Sequence, residues 1–109
     1  MHILKVTNDD GSIEIYFEGI NYFEEFDVIL NCLEKEQRCS IKNNQVSFDF
    51  REAIIKKNKH EFVLRHNYML GNYIFTTNKN EAAFLGNLAL KVLKSIEQKL
   101  MNNNKELGD

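Results

Sequence analysis

Residues 79–101, KNEAAFLGNLALKVLKSIEQKLM, decide how the rest of this chain must be arranged. Leu85, Leu88, Ala89, Val92, Leu93, Ile96 and Leu100 recur at the i, i+3, i+4, i+7 spacing that paints one face of an α-helix. Lys91, Lys94, Glu97 and Gln98 fall off that stripe. Asn78 stands where a side chain can accept from free backbone N–H groups, and Glu81 three residues on completes a variant capping box. Such a helix runs roughly 33 Å at about 1.5 Å per residue, long enough to cross a small sheet. Its single apolar face demands something flat and apolar to lie on.

Upstream of it the period changes. Residues 2–7 and 12–18 are β-rich runs around Asn8-Asp9-Asp10-Gly11, a strong hairpin signal. In the second run Ile13, Ile15 and Phe17 alternate with Glu14, Tyr16 and Glu18, which predicts a strand with one buried and one wet side. Residues 21–36 switch back to helical spacing, with Phe23, Phe26, Ile29, Leu30 and Leu33 on one stripe and Asn21-x-x-Glu24 as its expected cap. Residues 38–42 and 46–51 flank the turn-prone Asn43-Asn44-Gln45. The alternation of Val46, Phe48 and Phe50 against Ser47, Asp49 and Arg51 puts the former inside. Residues 52–59 allow either a single helical turn or a bulged continuation of the strand, and the preferred reading is a strand extension turning at Lys57-Asn58-Lys59. Residues 61–66 and 72–77 are the last strands, with Gly71 in the loop between them.

The predicted order is ββαββββα in one α+β domain over residues 1–101: an antiparallel sheet of about six strands built from hairpins, with both helices packed on one face. Residues 102–109 read as a polar tail that frays. The chain's 109 residues suffice for one core without metal or disulfide. No apolar run approaches a membrane span and no leader h-region follows Met1, so a cytoplasmic location is expected. Cys32 and Cys39 are expected as reduced thiols.

Chemistry-bearing motifs are sparse. His60, Glu61, Arg65 and His66, with Asp49 and Glu52 near in sequence, contain the residue types of a nuclease site. On a strand, however, His60 and His66 point the same way about 20 Å apart, and the expectation is that they are polar residues on the solvated side of the sheet. No serine has a nucleophile-elbow context, no glycine-rich phosphate loop is present, and no Cys/His pair has metal-ligand spacing, so neither cofactor nor metal is expected. Phe48, Phe50, Tyr73 and Phe75 could form a base-stacking platform, but two helices need a lining and those rings are its natural candidates. The net charge of −2 argues against nucleic acid as a direct partner.

Charge layout is the feature that stands out. Residues 1–36 hold nine carboxylates against Lys5 and Lys35, a net of −7, which leaves +5 for the remainder of a chain whose total is −2. Asp9, Asp10, Glu24, Glu25, Asp27 and Glu34 are the candidate partner-binding residues, an acidic surface that would steer a basic protein. In its size, its asparagine-rich composition and its acidic segments Asn8-Asp9-Asp10-Gly11 and Glu24-Glu25-Phe26-Asp27, the chain resembles bacterial immunity proteins that neutralise toxin domains, including those of contact-dependent growth inhibition systems. The resemblance implies a cognate toxin domain as partner and occlusion of its active site as mechanism. Two alternatives remain open: a small nucleic-acid-processing enzyme using His60, Arg65 and His66 beside the Lys56-Lys57-Asn58-Lys59 turn, and a homo-oligomeric adaptor domain pairing through sheet edges.

Overall fold

A computed structural model describes residues 1–48 and 50–107, the last five of these by their backbone alone. Six strands, β1 (His2–Thr7), β2 (Ile13–Glu18), β3 (Ser40–Val46), β4 (Phe50–Lys57), β5 (His60–Asn67) and β6 (Gly71–Thr76), form one antiparallel sheet in the spatial order β1-β2-β6-β5-β4-β3. Between β2 and β3 lie α1 (Glu25–Asn31) and a π-helical turn, Cys32–Glu36. This connection carries the chain from the second strand position to the far edge. A short 3-10 turn, Lys79–Glu81, leads into α2 (Ala82–Leu107), so residues 102–107 continue the helix.

The expected α+β architecture is present, with both helices on one face. Ile13, Ile15 and Phe17 from β2, Ala53 and Ile55 from β4, Phe62 and Leu64 from β5, and Ile74 from β6 join Phe26, Ile29 and Leu33 of the first helical segment and Leu85, Leu88, Val92 and Ile96 of α2 in one core. The α2 stripe is buried as its spacing predicted except at Leu100, which is exposed.

Besides Asn43-Asn44-Gln45, which lies inside β3 and pairs with β4 rather than forming the turn, three local expectations are corrected. The cap of α1 shifts by one residue: Glu25, not Glu24, reaches back, accepting from the Tyr22 N–H at 3.0 Å, and Glu24 makes no cap bond. At α2 Asn78 accepts from Asn80 N–H as expected, but the Glu81 side chain turns away to pair with His60. The third correction is the phase of β4. Register pairs Arg51 with His66, Ala53 with Leu64 and Ile55 with Phe62, all beneath the helices, so Phe50 and Ile54 face the other way. Consequently His60 and His66 lie on the helix side rather than the solvated side. Tyr73 and Phe75, opposite Arg65 and Val63, lie on the uncovered face rather than in the core.

The first helical segment ends where Gln37 N–H bonds the Cys32 carbonyl. Arg38 then takes a left-handed conformation (φ 59°), and Cys39 N–H bonds the Leu33 carbonyl. Both cysteines are buried and unpaired with each other. The Cys32 thiol is pushed up to about 12 by burial and by the carboxylate of Glu36, which accepts from Sγ at 2.8 Å. It is therefore a poor nucleophile at neutral pH.

A candidate protein-docking surface

The two ends of the sheet differ in what their turns display. At one end lie the β1–β2 and β4–β5 hairpins and the start of α2. At the other lie the end of β2, the entry to α1, and the β3–β4 and β5–β6 turns.

This second end is built by specific polar contacts. Asn72, 1% exposed, donates its amide N–H groups to the carbonyls of Ile20 (2.8 Å) and Tyr22 (3.1 Å), which fixes the path of the chain into α1. Gly71 has φ +85°, which favours glycine, and a Cβ there would sit 2.9 Å from Asn21 Oδ1 and displace that side chain. In the β5–β6 turn Asn67 accepts from Leu70 N–H through its carbonyl (3.0 Å) and from Met69 N–H through Oδ1 (2.9 Å). In the β3–β4 turn Ser47 N–H bonds the Phe50 carbonyl at 2.8 Å. These bonds close the two turns, and Phe48, Tyr68, Met69 and Leu70 are left exposed on them.

These exposed side chains are apolar. Among the described residues seven large apolar side chains are more than half exposed. Six of them, Tyr22, Val46, Phe48, Tyr68, Met69 and Leu70, sit at this end, and Met101 is the seventh. Phe48 is 100% exposed, a correction to its expected place in the core. Tyr68 is shared by two adjoining hollows. One, of about 460 Å³, is walled by Phe23, Phe48 and His66; the other, of about 400 Å³, lies over Leu4, Tyr16 and Asn21. Scattered apolar residues on a surface need no explanation, but a contiguous set does, because each exposed ring forgoes the stabilisation of burial.

Carboxylates stand around this patch. Glu24 and Asp27 are exposed on the first turns of α1, Glu25 beside them is half-buried, and Glu18 closes β2. Asp27 has a second duty. Its Oδ1 accepts from Arg51 Nη1 at 2.7 Å, and the Arg51 guanidinium lies under α1, 4.3 Å from the centre of the Phe26 ring and bonded to Asn44 Oδ1 at 3.2 Å. Asp27 is therefore not free to be lost, contrary to its reading as a purely exposed acid.

The remaining sequence candidates are dispersed. Asp9 and Asp10 occupy the β1–β2 turn, one strand length, about 20 Å, from the α1 acids. Asp10 clamps that turn by accepting from Ser12 N–H (2.9 Å) and Ser12 Oγ–H (2.7 Å), and the Ser12 bonds hold its carboxyl below the usual range. Glu34 is exposed on the π-helical turn. The six acids thus form no single patch; Glu24, Glu25 and Asp27 border the apolar end.

The His60, Arg65, His66 constellation is divided between the two sheet faces. His60 stacks on Phe84 of α2 with ring centres 3.6 Å apart and pairs with Glu81. His66 is at the other end of β5, bonded through Nδ1 to Asn72 Oδ1 at 2.9 Å. Arg65 lies on the uncovered face, bonded to Glu52 Oε2 at 2.7 Å with its guanidinium 4.4 Å over Phe75. These groups converge on no common point. Among the described residues no three His, Cys, Asp or Glu side chains are placed to hold one metal ion, and no helix is long and apolar enough to cross a membrane.

The uncovered sheet face is less available than its composition suggests. Tyr73 is nearly buried, Tyr16 rests on it with ring centres 5.0 Å apart and donates its hydroxyl to Glu14, and Arg65 covers Phe75. Its rings are screened by the chain's own polar groups, whereas those of the loop end are not.

Sequence reading missed Tyr22, Tyr68, Met69 and Leu70 as surface residues of interest. The signal was present: three large apolar residues in succession, directly before Gly71, in a segment too short to be anything but a turn. Compared with protein-family models, with curated proteins and with solved structures, the chain matches none.

Proposed function

We propose that this protein is a small non-catalytic binding domain that docks a basic protein partner through the loop end of its sheet. It would act in the cytosol in the manner of an immunity protein that occludes the active site of a toxin domain. The observation that carries the reading is the gathering of Tyr22, Val46, Phe48, Tyr68, Met69 and Leu70 at one end of the sheet, bordered by Glu24, Glu25 and Asp27. A protein interface of standard strength has such a composition: an aromatic and methionine-rich centre that excludes water, ringed by charges that set approach and register. The acids suit a partner whose own surface is basic, as a nucleic-acid-cleaving domain's would be.

The test is site-specific photocrosslinking in cells of the source organism, with the crosslinking residue at Tyr68 or, as a control, at Lys94 on the exposed side of α2. The reading expects one basic protein joined at Tyr68 and not at Lys94, binding the purified chain in equimolar amounts and losing its activity when bound. Equal crosslinking at both positions, or a partner whose activity is untouched by saturating amounts of the chain, would sink it. Crosslinking of the chain to itself alone would favour the adaptor alternative.

A further inference from the structure

The hollow walled by Phe23, Phe48, Tyr68 and His66 has a more specific chemistry than an apolar cleft. His66 is 4% exposed, its imidazole meets the Phe23 ring edge-on with centres 5.4 Å apart, and it lines this hollow. Its proton arrangement is settled by its neighbour. The Asn72 amide nitrogen donates to two carbonyls, Ile20 and Tyr22, so the amide cannot be flipped. The atom facing His66 Nδ1 at 2.9 Å is therefore the Oδ1 acceptor. Nδ1 therefore carries a hydrogen, and among the described residues Nε2 has no hydrogen-bond partner. The Phe48 and Tyr68 rings beside it are exposed and offer negatively polarised π faces.

Arg51, register partner of His66, holds its guanidinium beneath α1, 5.7 Å from the centre of the Phe23 ring and 4.3 Å from that of Phe26, where Asp27 pairs with it at 2.7 Å, so its charge is matched by Asp27. Glu24 and Asp27 are exposed on the same end of the fold. A site with aromatic walls, one unpartnered ring nitrogen and carboxylates exposed at the same end of the fold favours a planar cation, which stacks on rings while donating in its own plane. We propose that this hollow receives a single arginine side chain of the docked partner, with the guanidinium against Phe48 and Tyr68 and one N–H donated to His66 Nε2. The proposal rests on the docking function above and names the anchor that the partner supplies. At about 460 Å³ the space exceeds what a guanidinium and its stem require.

The test uses three small probes: N-acetyl-arginine methylamide, its uncharged isostere N-acetyl-citrulline methylamide, and N-acetyl-leucine methylamide. Each is titrated into the intact protein while the ring signals of His66 and Tyr68 are followed by NMR. The proposal expects saturable shifts with the arginine probe, at least tenfold weaker binding of the citrulline probe, and loss of the arginine response in the Phe48→Ala/Tyr68→Ala variant. Those two rings are exposed, so the variant should keep its fold, which amide spectra would verify. Equal response to leucine, equal response to citrulline, or an arginine response that survives in the double variant would each overturn it. If the arginine probe is not held while crosslinking at Tyr68 still captures an inhibited basic protein, the cage fails and the docking function stands. If the probe is held but no partner is crosslinked, the docking function is what fails.

Discussion

Asp27 and Arg51 are joined at 2.7 Å between a largely exposed carboxylate and a guanidinium that is almost wholly buried, and this pair ties α1 to the inner face of β4. The arginine occupies a position that alternation would have given to solvent. It is tolerated there because Asp27 and Asn44 take its two terminal nitrogens and Phe26 and Phe23 lie against its plane, with Nε left unbonded. Removing the carboxylate leaves a buried charge with too few partners.

Asp27→Ser is accordingly expected to destabilise the fold by about 2 kcal/mol, moderated because the carboxylate side is open to water. Glu24→Ser, one turn away without a bond, should stay within about 0.5 kcal/mol. Urea denaturation of both variants checks this, and equal midpoints would show that the pair contributes nothing.

Asn72→Ala removes the donor to two carbonyls and the acceptor of the His66 proton in one step. A loss of roughly 3 kcal/mol is expected, since each buried group left without a partner costs on the order of 1–3 kcal/mol. Faster amide exchange at Tyr22 and Phe23, with little change in α2, would locate the damage at the entry to α1. Uniform loosening would argue against this local role.

Arg38 holds a left-handed backbone at the exit from the π-helical turn, a conformation that costs an L-residue about 1–2 kcal/mol. Arg38→Gly should therefore raise stability by a few tenths of a kcal/mol to about 1 kcal/mol after glycine's added unfolded-state entropy, read as an increase in Tm. A lower Tm would mean that the side chain does something its exposure does not reveal.

Acid should weaken the helical layer through Glu36. Its carboxyl is held down at about 2, against an ordinary 4.5, by the bonds it accepts from Cys32, Ser95 and Lys99. A folded-state value below the unfolded one means that the stabilisation is complete above about 4.5 and is lost as pH falls toward about 2. The denaturation midpoint of the native chain should drop through that window more steeply than that of Glu36→Gln. Parallel curves would remove Glu36 from the account.

The helices were legible because their periodicity is unambiguous: Leu85 to Ile96 and Phe26 to Leu33 allow one buried face each. The phase of β4 was not legible, because Phe50-Arg51 and Ile54-Ile55 place apolar residues in both registers. Burial of Ala53 and Ile55 in the core, with Asp27, Asn44 and Phe26 around the guanidinium, makes the arginine the inner one. Tyr73 and Phe75 flank the core residue Ile74 on β6 and so face away from the helices, while Phe48 lies before β4 and is fully exposed. The acidic bias of the first third was visible, but its division between two ends of the sheet depends on register, which charge counting does not see. The docking end is assembled from three turns distant in sequence, and no single segment announces it.

Affinity of the crosslinked partner for the intact chain and for Tyr68→Ser/Met69→Ser decides whether the loop end is the docking surface. Both side chains are exposed, so the substitution should leave Tm unchanged while weakening binding at least a hundredfold, as truncation of central interface residues does. A matched control, Leu90→Ser/Lys94→Ser on the exposed side of α2, should bind as the native chain does. Native-like affinity of the Tyr68/Met69 variant at unchanged Tm would contradict the assignment of the loop end as the docking surface.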